Sequence, residues 1–107
     1  MITLSIRTKV LPDKRQEFVQ TVQALIQHGQ KEKGCVSCHL YQSIDNENLL
    51  SIIQEWESKE DLNTYLGSDS FHVLLGAMNY LLSEPPETKI DEGSYTKGME
   101  AIKSVRK

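Results

Sequence analysis

The sequence predicts an α+β fold, a ferredoxin-like β-α-β-β-α-β sandwich, and three observations carry that expectation. The hydrophobic period alternates between two and about 3.6 residues in the order strand, helix, strand, strand, helices, strand. The stretch Ser51-Ile52-Ile53-Gln54-Glu55-Trp56-Glu57-Ser58-Lys59-Glu60-Asp61-Leu62 reads as a strand that turns without slack into a capped helix. That same strand carries apolar residues on both of its faces, so something must cover each of them.

The elements follow in order. Ile2, Leu4 and Ile6 alternate with Thr3, Ser5 and Arg7, the period of a strand with one buried face. Pro12-Asp13 stops it, and Asp13 with Gln16 three residues on suggests a helix N-cap. Phe18, Val22, Leu25 and Ile26 then form an apolar stripe, opposite a row of glutamines that reads as a solvated face. Gly34 is the expected stop, with Lys31 and Lys33 placed favourably against the helix dipole.

Cys35 to Ser43 reads as the second strand, with Val36, Cys38 and Leu40 on one face and Cys35, Ser37, His39 and Tyr41 on the other. Asp45-Asn46-Glu47-Asn48 supplies turn chemistry for a hairpin into a third strand from Leu49 to Glu57. The faces of that strand are Leu50, Ile52, Gln54, Trp56 and Leu49, Ser51, Ile53, Glu55. A second copy of the chain is the economical cover for the extra apolar face.

Ser58 caps the next helix, with Asp61 closing a capping box and Leu62, Tyr65 and Leu66 facing inward before Gly67. Asp69 or Ser70 begins a further helix whose apolar positions run from Phe71 to Leu82, with His72, Gly76, Asn79 and Ser83 as its polar stripe. Pro85-Pro86 ends it. Lys89, Ile90 and Tyr95 fit a last, broken strand. The division expected is a domain over residues 1–96 and a basic tail over 97–107, whose Met99, Ile102 and Val105 suit a short helix docked on a partner subunit.

Composition narrows the function classes. A chain of 107 residues makes one domain that buries roughly two thirds of its unfolded surface. Twelve basic and fifteen acidic residues give a net charge of −3, which argues against nucleic acid as a partner. No apolar run reaches the ~20 residues of a membrane span, and no signal-peptide layout is present. Two cysteines in that setting suggest free thiols in a reducing cytoplasm.

Few motifs carry chemistry. Cys35-x-x-Cys38 lies in a strand, where three positions put the thiols on opposite faces about 10 Å apart; a disulfide needs α-carbons within roughly 7 Å. No second pair completes a zinc site. His28, His39 and His72 form no spaced metal motif. His39 and Tyr41, two residues apart on one face, either project into one cavity or sit at the edge of the core. Trp56 is either core or the flat wall of a pocket for an aromatic ligand.

The Glu32-Lys33-Gly34-Cys35 segment, the Gln54-Glu55-Trp56-Glu57-Ser58 junction and the run from Leu62 to Phe71 resemble the antibiotic biosynthesis monooxygenase domain family. The resemblance implies a dimeric α+β barrel of two ferredoxin-like protomers joined through their open sheet faces. It also implies oxygenation of a small quinol or phenolic aromatic by O2 without a cofactor or metal, the substrate lying in a chamber between sheet and helices. Trp56 falls on the tryptophan that lines this chamber, and Tyr41 falls near a position where one branch has histidine. Read this way, Tyr41 and His39 orient or deprotonate the substrate, while Tyr65 and His72 guard the entrance. The chain also departs from the pattern: Tyr65 and Ser70 stand where many members have histidine, and Ile52, Leu62 and Gly76 where one branch has polar groups. A haem-degrading branch looks similar too, but its axial histidine aligns with Leu75 and its strand asparagine with Ile6. A dimeric ligand-binding or stress-response module that has lost its acid–base groups is the alternative to an enzyme. The oxygenation half of this reading leans on a hollow, mostly apolar chamber beside Trp56, and the architectural half on a partner covering the outer face of the sheet.

Overall fold

A computed structural model describes residues 1–93 and 98–106. Strand β1 (Ile2–Lys9) runs through the middle of a four-stranded sheet, between β3 (Leu49–Trp56) and β4 (Glu87–Asp91), with β2 (Cys35–Gln42) outside β3. Every pairing is antiparallel. Helices α1 (Arg15–Gly29), α2 (Lys59–Leu66) and α3 (Asp69–Leu81) cover one face, which is the ferredoxin-like arrangement. A short helix α4 (Met99–Val105) follows β4.

The core forms where the two periodicities meet. Leu4, Ile6, Leu50, Ile52 and Trp56 from the strands are buried against Phe18, Val22, Leu62, Leu74 and Met78 from the helices. At about 25 cal/mol per Å2 of apolar surface, this layer is the main source of stability. Thr8 is the one buried hydroxyl in β1, and it donates to the Leu50 carbonyl at 2.7 Å. The glutamine row of α1 is exposed, as its spacing implied. The end of α3 is tied back to β1: the Leu11 amide donates to the Leu81 carbonyl at 2.9 Å, and the Ser83 amide to Lys9 at 2.8 Å.

Three details differ from the sequence expectation. Asp13 does not cap α1; Pro12 starts a 3₁₀ turn over Pro12–Lys14, and Lys14 takes the cap position with no side-chain bond. The helix closes at Gly29 rather than Gly34. Gly34 instead occupies the turn before β2 with φ of +84°, a conformation that other residues reach only with strain. Helix α3 does begin at Asp69, and Ser68 caps it by accepting from the Phe71 amide.

The largest difference is a β-bulge. Cys35 pairs with Trp56 and Ser37 with Glu55, so Val36 is an extra residue in β2. A bulge shifts side-chain parity by one. Cys35 therefore packs beside Cys38 on the helix-covered face rather than opposite it. Both thiols are free.

Ser58 does cap α2, accepting from the Asp61 amide at 3.1 Å and donating to Asp61 Oδ2 at 3.0 Å. Strand β4 is exposed along its whole length. The expected contribution of Tyr95 to it, and the expected domain boundary between residues 96 and 97, lie outside the described residues. In α4, Met99, Ile102 and Val105 are exposed. No helix among the described residues is long and apolar enough to cross a membrane.

Candidate functional site

The site is best assembled from the interior face of β3. Leu50, Ile52, Gln54 and Trp56 alternate onto that face, and Gln54 is the polar residue among them. It is 3% exposed, between Trp56 at 1% and the helix α2 residue Tyr65 at 5%. A buried amide must find partners, and Gln54 finds two. The Trp56 Nε1–H donates to Gln54 Oε1 at 3.1 Å, and Gln54 Nε2 donates to the Tyr65 hydroxyl oxygen at 3.1 Å. The Trp56 and Tyr65 rings stack with centroids 4.9 Å apart at 30°, and Phe71 meets Tyr65 edge-on at 5.3 Å.

Burial sets the ionisation of this cluster. It pushes the Tyr65 phenol upward, partly offset by the Gln54 bond that favours the phenolate. The Cys38 thiol, Gln54's partner across the strands, is pushed up to about 11 by desolvation. Cys35 is raised by burial and by the neighbouring Glu32 charge. Near neutral pH, Tyr65 and Cys38 are therefore protonated: the interior offers donors and thiols, not a base.

A cavity of about 10 Å3 touches this cluster, lined by Val22, Leu25, Ile26, Cys38, Ile52, Gln54, Tyr65 and Leu74. It admits one water at most. The hollow chamber expected beside Trp56 is thus filled by side chains in this conformation, because the α1 stripe and Leu74 of α3 reach down onto the sheet.

The five residues singled out from the sequence divide into three places. Trp56 and Tyr65 come together in the interior. His39 and Tyr41 lie on the other face of the sheet, since the register pairs them with Ile53 and Ser51 rather than with Gln54 and Ile52. Their rings meet edge-on, with centroids 6.2 Å apart. Tyr41 is 52% exposed and borders an open cleft of about 400 Å3 with Arg7, Lys9, Ser51 and Glu87. His72 is exposed on α3, while Tyr65, expected beside it at an entrance, is buried. One cavity shared by His39, Tyr41 and Trp56 is therefore corrected: the sheet separates them. Gln54 and Cys38 were missed, although a glutamine two residues before Trp56 on an otherwise apolar strand face was a visible signal.

Comparison with known proteins agrees with this architecture. The family model described as antibiotic biosynthesis monooxygenase matches residues 1–75. The Bacillus subtilis protein named "Putative monooxygenase YcnE" is 29% identical over 85 residues, covering 79% of this chain and 90% of that protein. The Synechocystis protein sll1783 is 30% identical over 82 residues, or 77% of this chain, which spans only 56% of that protein's length. Among solved structures, a conserved protein from Methanosarcina mazei superposes with a TM-score of 0.80 at 29% identity, covering 84% of this chain and 89% of that one. Rv0793 from Mycobacterium tuberculosis superposes at 0.82 with 23% identity, covering 91% and 98%, and supports the fold. With a match over most of its length and the strand-to-helix junction inside it, this chain belongs to the antibiotic biosynthesis monooxygenase family.

Proposed function

We propose that the protein is a monooxygenase that oxidises a small quinol or phenolic aromatic with O2, without a bound cofactor, on the interior face beside Trp56. The observation that carries this reading is the buried Trp56–Gln54–Tyr65 cluster: a stacked aromatic pair whose polar groups are fixed by Gln54, beside a small, mostly apolar cavity. The chemistry needs no outside reductant. A quinol and O2 give a hydroxyquinone and water; one oxygen atom enters the ring, the other leaves as water, and the substrate supplies all four electrons. The protein contributes orientation and exclusion of water. Because the interior cavity is about 10 Å3, substrate entry requires Leu25 and Ile26 of α1 to separate from Leu74 of α3. Leu25 and Ile26 are half-buried and line the cavity.

The test is anaerobic reduction of a panel of quinols, followed by addition of 18O2 with and without protein. The reading expects labelled hydroxyquinone and water above the protein-free rate. If only quinone and hydrogen peroxide form, at the uncatalysed rate across the panel, the reading is wrong.

We further propose a homodimer through the open sheet face, in a reducing cytoplasm. Tyr41 and Leu49 leave apolar surface there, at 52% and 39% exposure, and Ile53 stands between them and Glu55 on the same strand face. Ile53→Asp should turn a dimer into a monomer by light scattering while leaving the circular dichroism unchanged; a wild-type monomer at all concentrations refutes the assembly.

The filled interior, with Tyr65 and Cys38 both protonated, favours one second reading: a binding module on the same scaffold without turnover. Ligand-induced thermal stabilisation with no labelled product would select it. A haem titration with no shifted Soret band removes the haem-degrading reading.

A further inference from the structure

The hydrogen-bond directions inside the Trp56–Gln54–Tyr65 cluster are fixed by chemistry rather than by choice. An indole N–H can only donate. The end of the Gln54 amide facing Trp56 at 3.1 Å must therefore be its oxygen. That leaves the NH2 end facing Tyr65, and the Tyr65 oxygen accepts from it at 3.1 Å. A phenol oxygen that already accepts still holds its own proton, and no acceptor for that proton is found among the described residues. Tyr65 and Gln54 both line the small cavity. Apart from Gln54 itself and the Cys38 thiol, the remaining lining there is aliphatic: Val22, Leu25, Ile26, Ile52 and Leu74.

We infer that Tyr65 is the residue that anchors a ligand, by donating its hydroxyl proton to an acceptor oxygen on it, and that Gln54 is the positioning residue that holds this hydroxyl donor-outward. The inference rests on the interior site proposed above and sharpens its substrate class. The site selects planar aromatics that carry a carbonyl or phenolate oxygen at the ring edge facing Tyr65, over the bare hydrocarbon of the same shape. Tyr65 keeps the proton it donates, because desolvation holds the phenol neutral and the negative charges that Cys38, Cys35 and Glu32 can carry act in the same direction. Trp56 acts behind this pair, as the donor that orients Gln54 and the ring on which Tyr65 stacks.

The test uses two probes of one skeleton, 1-tetralone with a carbonyl oxygen and tetralin without it, titrated into the intact protein by following Trp56 fluorescence. Wild type should bind 1-tetralone roughly tenfold more tightly than tetralin, the worth of one buried hydrogen bond. Tyr65→Phe keeps the ring and the stacking, and should erase that preference while leaving tetralin affinity within about twofold. Gln54→Glu, titrated with its carboxylate ionised, presents an acceptor to both neighbours. It should draw the Tyr65 proton toward itself and also erase the preference, a change that loss of packing alone would not produce. Equal binding of both probes by wild type, or a preference that survives Tyr65→Phe, overturns the inference and leaves the interior site standing. Binding of neither probe overturns the interior site, and the inference with it.

Discussion

The two faces of the sheet are built from the same four strands and have opposite chemistry. On the covered face, Leu50, Ile52, Gln54 and Trp56 are all buried, and Gln54 bonds both Trp56 and Tyr65. On the open face, Ser37 donates to Glu55 at 3.0 Å, His39 touches Tyr41, and Ile53 lies among polar neighbours. Neither composition nor spacing separates them. Parity does: a residue belongs to one face or the other according to its register, and a single extra residue, Val36, reassigns Cys35. Chemistry attempted on this fold is therefore confined to one face at a time, and a residue's neighbours in sequence are its opposites in space.

The strongest way to break that contrast is to truncate one residue on each face. Trp56→Ala should lose about 3–5 kcal/mol in denaturant unfolding, the range for a large aromatic removed from a packed core. His39→Ala, on the exposed face, should stay within about 0.5 kcal/mol when compared at a concentration giving one assembly state. Equal losses would mean that the open face is as tightly packed as the interior.

A second substitution acts on the seam that delivers β2 to its register. Gly34 has φ of +84°, and a methyl group placed there would overlap the Asp61 carboxylate. Asp61 is also the partner of Ser58 in the α2 cap. Gly34→Ala should lose about 2–3 kcal/mol, from the left-handed backbone and the displaced cap together. The glycine matters twice: it makes the turn, and it lets the chain approach α2 closely. The same reading predicts that Gly67→Ala, where an added methyl meets nothing nearer than 3.7 Å, loses far less.

Much of this was legible beforehand. The period switches gave the strand and helix order, Asp45 to Asn48 gave the hairpin, and Ser58 with Asp61 gave the start of α2. The two-faced β3 was visible as well. What was not legible was local and physical. A bulge leaves no compositional mark, so Cys35 was assigned to the wrong face. Pro12 favours a 3₁₀ turn as readily as an α-helix start, which displaced the Asp13 cap. The site itself was half legible. Tyr65 lies buried against Trp56 rather than at an entrance with the exposed His72, and His39 and Tyr41 joined them only while hairpin register was ignored; pairing His39 with Ile53 puts them across the sheet. Whether a cavity is open or filled depends on how far Leu25, Ile26 and Leu74 reach, and hydrophobic periodicity does not encode depth.

Alkaline pH sharpens the contrast next. Cys38 has an ordinary value of 9.0 and a folded value of about 11. Below pH 9 the thiol is protonated in both states and linkage contributes no slope. Between pH 9 and about 11 the unfolded chain releases this proton while the folded chain retains it, so stability falls as pH rises. The slope from one such group is at most about 1.4 kcal/mol per pH unit. Tyr65, raised in the same direction, adds to the decline at higher pH. Cys38→Ala should start from a lower plateau and lose less of it across that window in pH-dependent denaturant titrations. An unchanged slope would mean that the interior is wetter than its packing indicates.

The smallest effect is the most local. Ser58 Oγ accepts from the Asp61 amide and donates to its carboxylate, so Ser58→Ala removes both bonds at the start of α2 and should lose about 1 kcal/mol. The consequence reaches the site because the first turn of α2 sets the angle at which Leu62 and Tyr65 descend onto Trp56. Loosening it should weaken the near-ultraviolet dichroism of the Trp56–Tyr65 stack, whose centroids lie 4.9 Å apart, before it changes the far-ultraviolet signal. Lys59→Ala is the matched control one residue on: its pairing with Glu92 at 2.9 Å joins two exposed side chains, and solvent screening leaves such a pair little to contribute. If Ser58→Ala behaves like Lys59→Ala in both readouts, α2 is held by the burial of Leu62 and Tyr65 alone. The interior face would then owe its order to packing, and the cap would only mark where the strand ends.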